Sequence, residues 1–191
     1  MGNSTATRAR LLAAATEEFA THGIAGARVD RIAAAAASNK SLIYSYFGNK
    51  DALFDVAFDT RVDADIANIA FTPEDLPGYA IKLYDMYLGD PMLVRLLTWA
   101  RLERTPVGPL FDRRPDHDDV KFAAIADAQR GGLLVEDVDA ADIWSMLIAL
   151  AGTWAQAAII HTADTSEPVA DHDRRRAALA ATVRRAFCRL H

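Results

Sequence analysis

The chain has 191 residues, is 51% hydrophobic and carries a net charge of −5. That length allows a substantial core in one or two domains, and the alanine-rich, glycine-poor mix suits helices, alanine having the highest helix propensity. One cysteine, Cys188, excludes an internal disulfide and fits a reducing, cytoplasmic setting. The opening MGNSTATRARLLAAATEEF lacks a long apolar run, so no signal peptide is expected. Gly2, an acylation signal on paper, reads better as part of a short lead into a helix.

Residues 6–22 predict the first helix. Leu11, Leu12, Ala15 and Phe19 form its stripe, Glu17 and Glu18 face water, and Gly23 stops it. Arg8 and Arg10 lie near its start, within reach of a phosphate. Two short helices follow, near 28–36 and 40–47. Val29, Ile32 and Ala33 give the first its apolar side. Asn39 caps the second, whose Ile43 and Phe47 turn inward and leave Lys40, Ser41, Tyr44 and Ser45 outside. Two such helices joined by a tight turn outline a helix-turn-helix reader. Gly48-Asn49 then ends one helix and caps a fourth over 50–68, with Leu53, Phe54, Ala57, Phe58, Val62, Ile66 and Ile69 on its apolar side.

Thr72-Pro73 marks a capped start for a helix carrying Tyr79, Leu83, Met86 and Tyr87. Gly89-Asp90-Pro91 breaks it. The next runs from Met92 to Arg104 with Leu93, Leu96, Leu97, Trp99 and Ala100, and the Pro/Gly-rich residues 105–117 predict a loop. A helix from Asp118 or Asp119 to Arg130 turns Phe122, Ala123 and Ala126 inward, and Gly131-Gly132 ends it. Asp139 caps the apolar stretch IWSMLIALAGTWAQAAII. Its length suits a membrane span. Ser145, Thr153 and Gln156 interrupt it and it starts on acids, so a soluble helix covered on all sides is expected. Trp144, Leu147 and Ile148 face the core, and Ala151, Gly152, Ala155 and Ala158 face another helix. The last helix, 172–190, has Leu179, Val183, Phe187 and Leu190 on one stripe, with Ala177, Ala178, Ala181 and Thr182 beside it. Two helices with surplus apolar surface predict a homodimer built as a four-helix interface.

Charge is divided unevenly. Residues 1–50 hold six basic and three acidic side chains, a net +3, which leaves −8 for the rest. A basic head on an acidic body fits a small double-stranded-DNA-binding domain (1–50) joined to a body with another task (51–191).

The segment THGIAGARVDRIAAAAASNKSLIYSYFGNKDALF resembles the DNA-binding signature of TetR-type transcriptional regulators. The matching pieces are Gly23, Val29-x-x-Ile32-Ala33, Ile43-Tyr44-Ser45-Tyr46-Phe47, and Lys50 with Leu53. The resemblance implies an all-α protein of about nine helices. A three-helix head would be joined through the fourth helix to a ligand-binding body that dimerises through its final two helices. It implies that Tyr44 and Lys50 touch phosphates. Lys40, Ser41, Leu42 and Tyr46 are then left for base edges, Lys40 donating to guanine and Leu42 lying against a thymine methyl. Three positions depart from the family pattern: Arg28 replaces Ser or Thr, Ser41 replaces a glycine, and the turn Ala36-Ala37-Ser38-Asn39 replaces Ala-Gly-Val-Ser. Arg28 joins the candidate DNA contacts, and Ala37 raises the question of whether φ is positive there.

Enzyme motifs are missing: no Gly-rich phosphate loop, serine elbow or zinc-like spacing, so neither catalysis nor a cofactor or metal is expected. Asp112, Asp116, His117, Asp118 and Asp119 predict a solvated loop and helix cap rather than a metal cluster. His161 and His172 are ordinary polar residues facing across a loop, and Cys188 a partly buried structural cysteine rather than a redox sensor. The body is rich in large side chains. Tyr84, Met86, Tyr87, Trp99, Phe122 and Trp154 are candidate walls of a pocket for a small, mostly apolar effector of unknown identity, with Arg101, Glu103 and Gln156 as polar partners. The expected function is a repressor released from a near-palindromic operator by that effector. The alternative is a small-molecule-binding helical protein that acts through protein contacts without a defined operator.

Overall fold

The structure, a computed structural model, describes residues 2–66, 69–111 and 116–189, with side chains over 4–64, 69–111 and 117–189. The side chains of Ile66 and Asp116, and residues Asn68, Asp112, Pro115 and Leu190, lie outside the described residues. The fold is all-helical. Nine α-helices run through the described residues: α1 Gly2–Gly26, α2 Val29–Ala35, α3 Lys40–Phe47, α4 Lys50–Ile66, α5 Leu76–Gly89, α6 Pro91–Trp99, α7 Asp116–Arg130, α8 Ala140–Ala151 and α9 Val169–Phe187. A 3-10 turn, Pro73–Asp75, precedes α5, and α6 runs on as a π-helix over Ala100–Arg104. Two compact units result. The first is 1–68 with 92–110 and the second is 69–91 with 111–191, whereas the sequence suggested a division at residue 50.

The first unit is built on α1 against α4. Leu11, Ala15 and Phe19 of α1 meet Leu53, Phe54 and Ala57 of α4, all nearly or fully buried. Phe54 stands edge-on to Phe19 at 5.2 Å and stacks on Phe58 at 5.7 Å. Ile32, Ile43 and Phe47 close the core from α2 and α3. Asn39 Oδ1 accepts from the Leu42 N–H at 2.9 Å and Asn49 Oδ1 from the Ala52 N–H at 2.8 Å, the caps expected for α3 and α4. Each such cap contributes about 1 kcal/mol.

Residues 92–110 belong to this unit because they hold the end of α1. Gly23 ends the regular helix as expected, with a non-helical backbone at φ 74° and ψ 176°, and a short helical stretch to Gly26 follows the kink. The exposed carbonyls are taken up from α6. Arg95 Nε donates to the Ala20 carbonyl at 2.7 Å, Arg95 Nη2 to that of Thr21 at 3.1 Å and Trp99 Nε1 to that of Ala20 at 3.2 Å. Glu103 Oε2 accepts from the Ala25 N–H at 2.7 Å. Glu18, expected in water, is 8% exposed. It accepts from the Arg28 N–H at 2.8 Å and from Arg31 Nε at 2.8 Å, so a buried charge is paired and caps the entry to α2. Burial pushes its carboxyl up, but Arg31, the Arg28 N–H and His22 outweigh that and hold it below its ordinary range.

In the second unit α5 packs against α8 and α9, and α7 lies against α8. Leu76, Ala80, Ile125, Leu134, Ile143, Leu147, Leu179 and Val183 form its core. Asp75, not Thr72, caps α5, accepting from the Gly78 N–H at 2.9 Å. On α7 the inward face is Ile125, Ala128 and Gln129, while Ala123 is exposed. Gln129 Nε2 accounts for that register: it donates to the carbonyls of Val135 and Val138 at 2.7 and 2.8 Å and ties down the loop before α8. Asp139 caps α8 as expected. The helix then ends at Gly152 instead of running to Ile160; Trp154 and Gln156 lie in turns, Ala155 at a bend and Ala158 in irregular chain, and Ala157 has φ 69°. No helix among the described residues is long and apolar enough to cross a membrane.

Candidate nucleic-acid interface and effector cleft

The helix-turn-helix begins with α2, whose backbone N-cap is Arg28 with its side chain exposed. The turn settles the question posed by Ala37: its φ is 47°, the left-handed region normally left to glycine. The Ser38 N–H reaches the Ala33 carbonyl at 2.9 Å, so the chain still reverses tightly without the glycine. Ala37→Gly should therefore stabilise the protein by about 0.5–1 kcal/mol, raising the melting temperature by about 1–4 °C in a calorimetric scan. A fall would show that the turn does not need positive φ.

On α3, Ile43 and Phe47 are buried, which turns Lys40, Ser41, Tyr44 and Ser45 outward; Tyr44 is 48% exposed. Leu42 is half-buried. Lys40 is exposed, with its ammonium 2.5 Å from Asp30 on α2, so its charge is held at the outer edge of the helix pair. Two candidates are otherwise engaged. Tyr46 is half-buried with its hydroxyl 3.0 Å from Ser4 Oγ, which turns it toward α1 and away from the exposed row. Lys50 Nζ donates to the carbonyls of Ala25 and Ala27 at 3.2 and 3.3 Å, closing the α1–α2 connection. Arg8 lies over the Phe47 ring at 5.4 Å and Arg10 is exposed, adding positive charge beside α3.

The proposed pocket residues do not form one group. Trp99 caps α1 and Arg101 staples its own loop, donating to the carbonyls of Thr105 and Gly108 at 2.8 and 2.7 Å; both belong to the first unit. Glu103 is likewise taken by Ala25. In the second unit Tyr84, Tyr87 and Trp154 do meet. With Leu88, Ala151, Ala155 and Ala163 they line a cleft that their own side chains fill, leaving no room for even a water molecule. Ligand pockets usually offer roughly 300–1,000 Å³, so a ligand of any size enters only if these side chains move apart. Met86, Phe122 and Gln156 are half-buried and do not line it. Ala151 is fully buried in its own chain, which removes it from the dimer surface, while Ala178 and Thr182 are exposed and Gly152, Ala155, Ala158 and Ala181 half-buried.

Beside the cleft lies a polar cluster that includes both His161 and His172, expected only as ordinary polar residues, together with Glu167 and Arg175, which the sequence did not single out. The Tyr84 hydroxyl is 2.7 Å from His172 Nδ1. Arg175, 4% exposed, places Nη2 2.5 Å from Glu167 Oε2 and 3.0 Å from His161 Nε2. The signal was present, since stepping back from Phe187, Val183 and Leu179 at helical spacing lands on Arg175 and His172. Arg175 chiefly, against opposing burial, and then His161 hold the Glu167 carboxyl down to about 2. Its ordinary value is 4.5, so the ion pair contributes stability that is complete above pH 4.5 and lost as pH falls toward about 2. Urea midpoints measured across that window should fall more steeply for the wild type than for Glu167→Gln. Elsewhere, Asp118 Oδ1 accepts from Trp144 Nε1 at 3.1 Å. Burial first of all pushes the Cys188 thiol up, which disfavours a reactive thiolate.

Residues 11–57 match the family model for bacterial regulatory proteins of the tetR family, and 75–185 match that for the tetracyclin repressor-like C-terminal domain. The chain is 41% identical over 151 residues to the HTH-type transcriptional repressor SCO4008 of Streptomyces coelicolor, covering 78% of each protein. The solved structure of the transcriptional regulator SCO4942 from Streptomyces coelicolor is 38% identical and superposes with a TM-score of 0.78, over 95% of this chain and 98% of that one. The SmeT–triclosan complex shares the fold at 20% identity, with a TM-score of 0.67 over 96% of this chain and 92% of that one.

Proposed function

The chain belongs to the TetR family of bacterial transcriptional regulators, and from that premise we propose that it is a homodimeric repressor released from its operator by a small, mostly apolar effector. The observation that carries the reading is the exposed row Lys40, Ser41, Tyr44 and Ser45 on a helix whose other side is buried. Lys40, Ser41 and Leu42 read base edges. Arg28 and Tyr44 take phosphates, with Lys50 lending its remaining proton. Because Ala37 adopts the left-handed conformation, the unusual turn gives no ground for a head that has lost its operator. The protein acts in the cytoplasm by binding, not by catalysis.

Dimerisation uses the exposed side of α8, where Met146 is 41% exposed, and the small surface of Ala178, Ala181 and Thr182 on α9. The effector enters the cleft of Tyr84, Tyr87 and Trp154; SmeT, of the same fold, was solved with triclosan. Effector binding in the second unit lowers operator affinity, and by linkage operator DNA weakens effector binding by the same factor. Footprinting on the upstream DNA together with native mass spectrometry tests the reading. A dimer should protect an inverted repeat whose half-sites lie about 34–36 Å apart or a multiple of that. A monomer at micromolar concentration, or a footprint without symmetry, overturns it.

A further inference from the structure

Asp30 lies in the first turn of α2, and its carboxylate reaches across the helix-turn-helix to Lys40, the first residue of α3, with Oδ1 2.5 Å from Nζ. The two side chains are 65% and 55% exposed, and an exposed pair of this kind adds little to stability. Arg31, the next residue along α2, is turned back into the head, where it donates to Glu18 at 2.8 Å and to the Gly26 carbonyl at 2.9 Å. A carboxylate therefore stands in the open beside the first side chain of the reading helix. Every phosphate it approaches repels it, so its partner on the DNA has to be a donor. Among base edges in the major groove, cytosine N4 is the donor that acidic side chains accept from.

We propose that Asp30 reads bases and that it shares one base pair with Lys40, the ammonium donating to guanine O6 while the carboxylate accepts from cytosine N4. The two edges match. In a G·C pair O6 and N4 are hydrogen-bonded to each other, so in the major groove an acceptor and a donor lie a hydrogen-bond distance apart, as Nζ and Oδ1 do here. Turning the pair round to C·G sets donor against donor and acceptor against acceptor. T·A presents O4 and N6 in the same order as G·C and keeps the match, but lacks guanine N7. The inference rests on the assignment of α3 as the reading helix and adds a residue of α2 to what is read.

The test selects sites for the full-length protein from a randomised double-stranded DNA pool, then measures the selected site and its single-pair variants by fluorescence anisotropy. The wild type should select a G·C pair of fixed orientation at one position of each half-site. Reversing that pair in one half-site should weaken binding roughly five- to 150-fold, and T·A should cost less. Asp30→Ala should lose most of the cost of reversal while every other position keeps its preference. Asp30→Asn, of the same shape but able to present a donor as well as an acceptor, should tolerate the reversed pair better than the wild type. Lys40→Ala should lose its preference at that same position. A carboxylate that merely repels DNA would, once removed, raise affinity for all sequences alike; one that merely supports the start of α2 would, once removed, lower the melting temperature and weaken all sequences alike. Either result, with the selected sequence unchanged, overturns the proposal. A preference lost in Lys40→Ala but intact in both Asp30 variants overturns it too and leaves α3 as the reading helix. A wild type that selects no sequence removes the reading helix and the proposal with it.

Discussion

Phe54→Ala should cost about 3–5 kcal/mol of stability, the usual range for removing a buried aromatic side chain. Phe54 is 1% exposed and stands between Phe19, at 5.2 Å edge-on, and Phe58, at 5.7 Å stacked. Neither ring can move into the space without losing its own packing on α1 or α4, so the cavity should persist. Domains of ordinary stability have only about 5–15 kcal/mol to lose. The variant should unfold at a much lower urea concentration and lose DNA binding near physiological temperature. A loss under about 1 kcal/mol would mean that the ring cluster is not the centre of the first unit.

Gly23→Ala should be nearly as damaging for a different reason. At φ 74° and ψ 176° the backbone lies in a region essentially confined to glycine, and holding another residue there costs about 1–3 kcal/mol. The added Cβ would also meet Glu103 Oε1 at 2.7 Å and the Trp99 ring at 3.1 Å, with crowding worth about 1–3 kcal/mol more. Combining the change with Glu103→Ala separates the two causes. The double variant removes the nearest clash but not the backbone cost, so it should recover part of the loss. Trp99 fluorescence should shift in the single variant, because its indole holds the Ala20 carbonyl. Full recovery in the double variant would mean that the backbone conformation carries no cost.

What could be read from the chain was local. Asn39, Asn49 and Asp139 cap the helices they precede, and the stripes Leu11–Phe19, Ile43–Phe47 and Leu179–Phe187 are buried where the helical period puts them. The misses turn on partners distant in sequence. Trp99 looks like the wall of a pocket until the carbonyl of Ala20 is brought to it. Glu18 looks solvated because its partners, the Arg28 N–H and Arg31, reach it only after the chain turns at Gly23. The end of α8 was hidden because the turn that follows, through Trp154 and Ala157, is as apolar as the helix, so hydrophobic pattern does not register the change. Arg175 escaped notice, and His172 read as an ordinary polar residue, because polar residues at a buried spacing are expected to face water. For the DNA-reading residues, burial explains which side of α3 faces out, but the occupation of Tyr46 by Ser4 and of Lys50 by two carbonyls is a tertiary fact.

Affinity for the protein's own upstream DNA, followed by fluorescence anisotropy across a salt series for wild type and Lys40→Ala, tests the account most directly. The wild type should bind with log affinity falling linearly against log salt. It should prefer the operator over a version with one base pair changed by about 1–3 kcal/mol. Lys40→Ala should lose that preference at the base pair it reads while keeping most of the salt slope, apart from any share of its own charge. Affinity independent of salt, equal for operator and scrambled DNA, and unaffected by Lys40 would contradict the assignment of α3 as the reading helix.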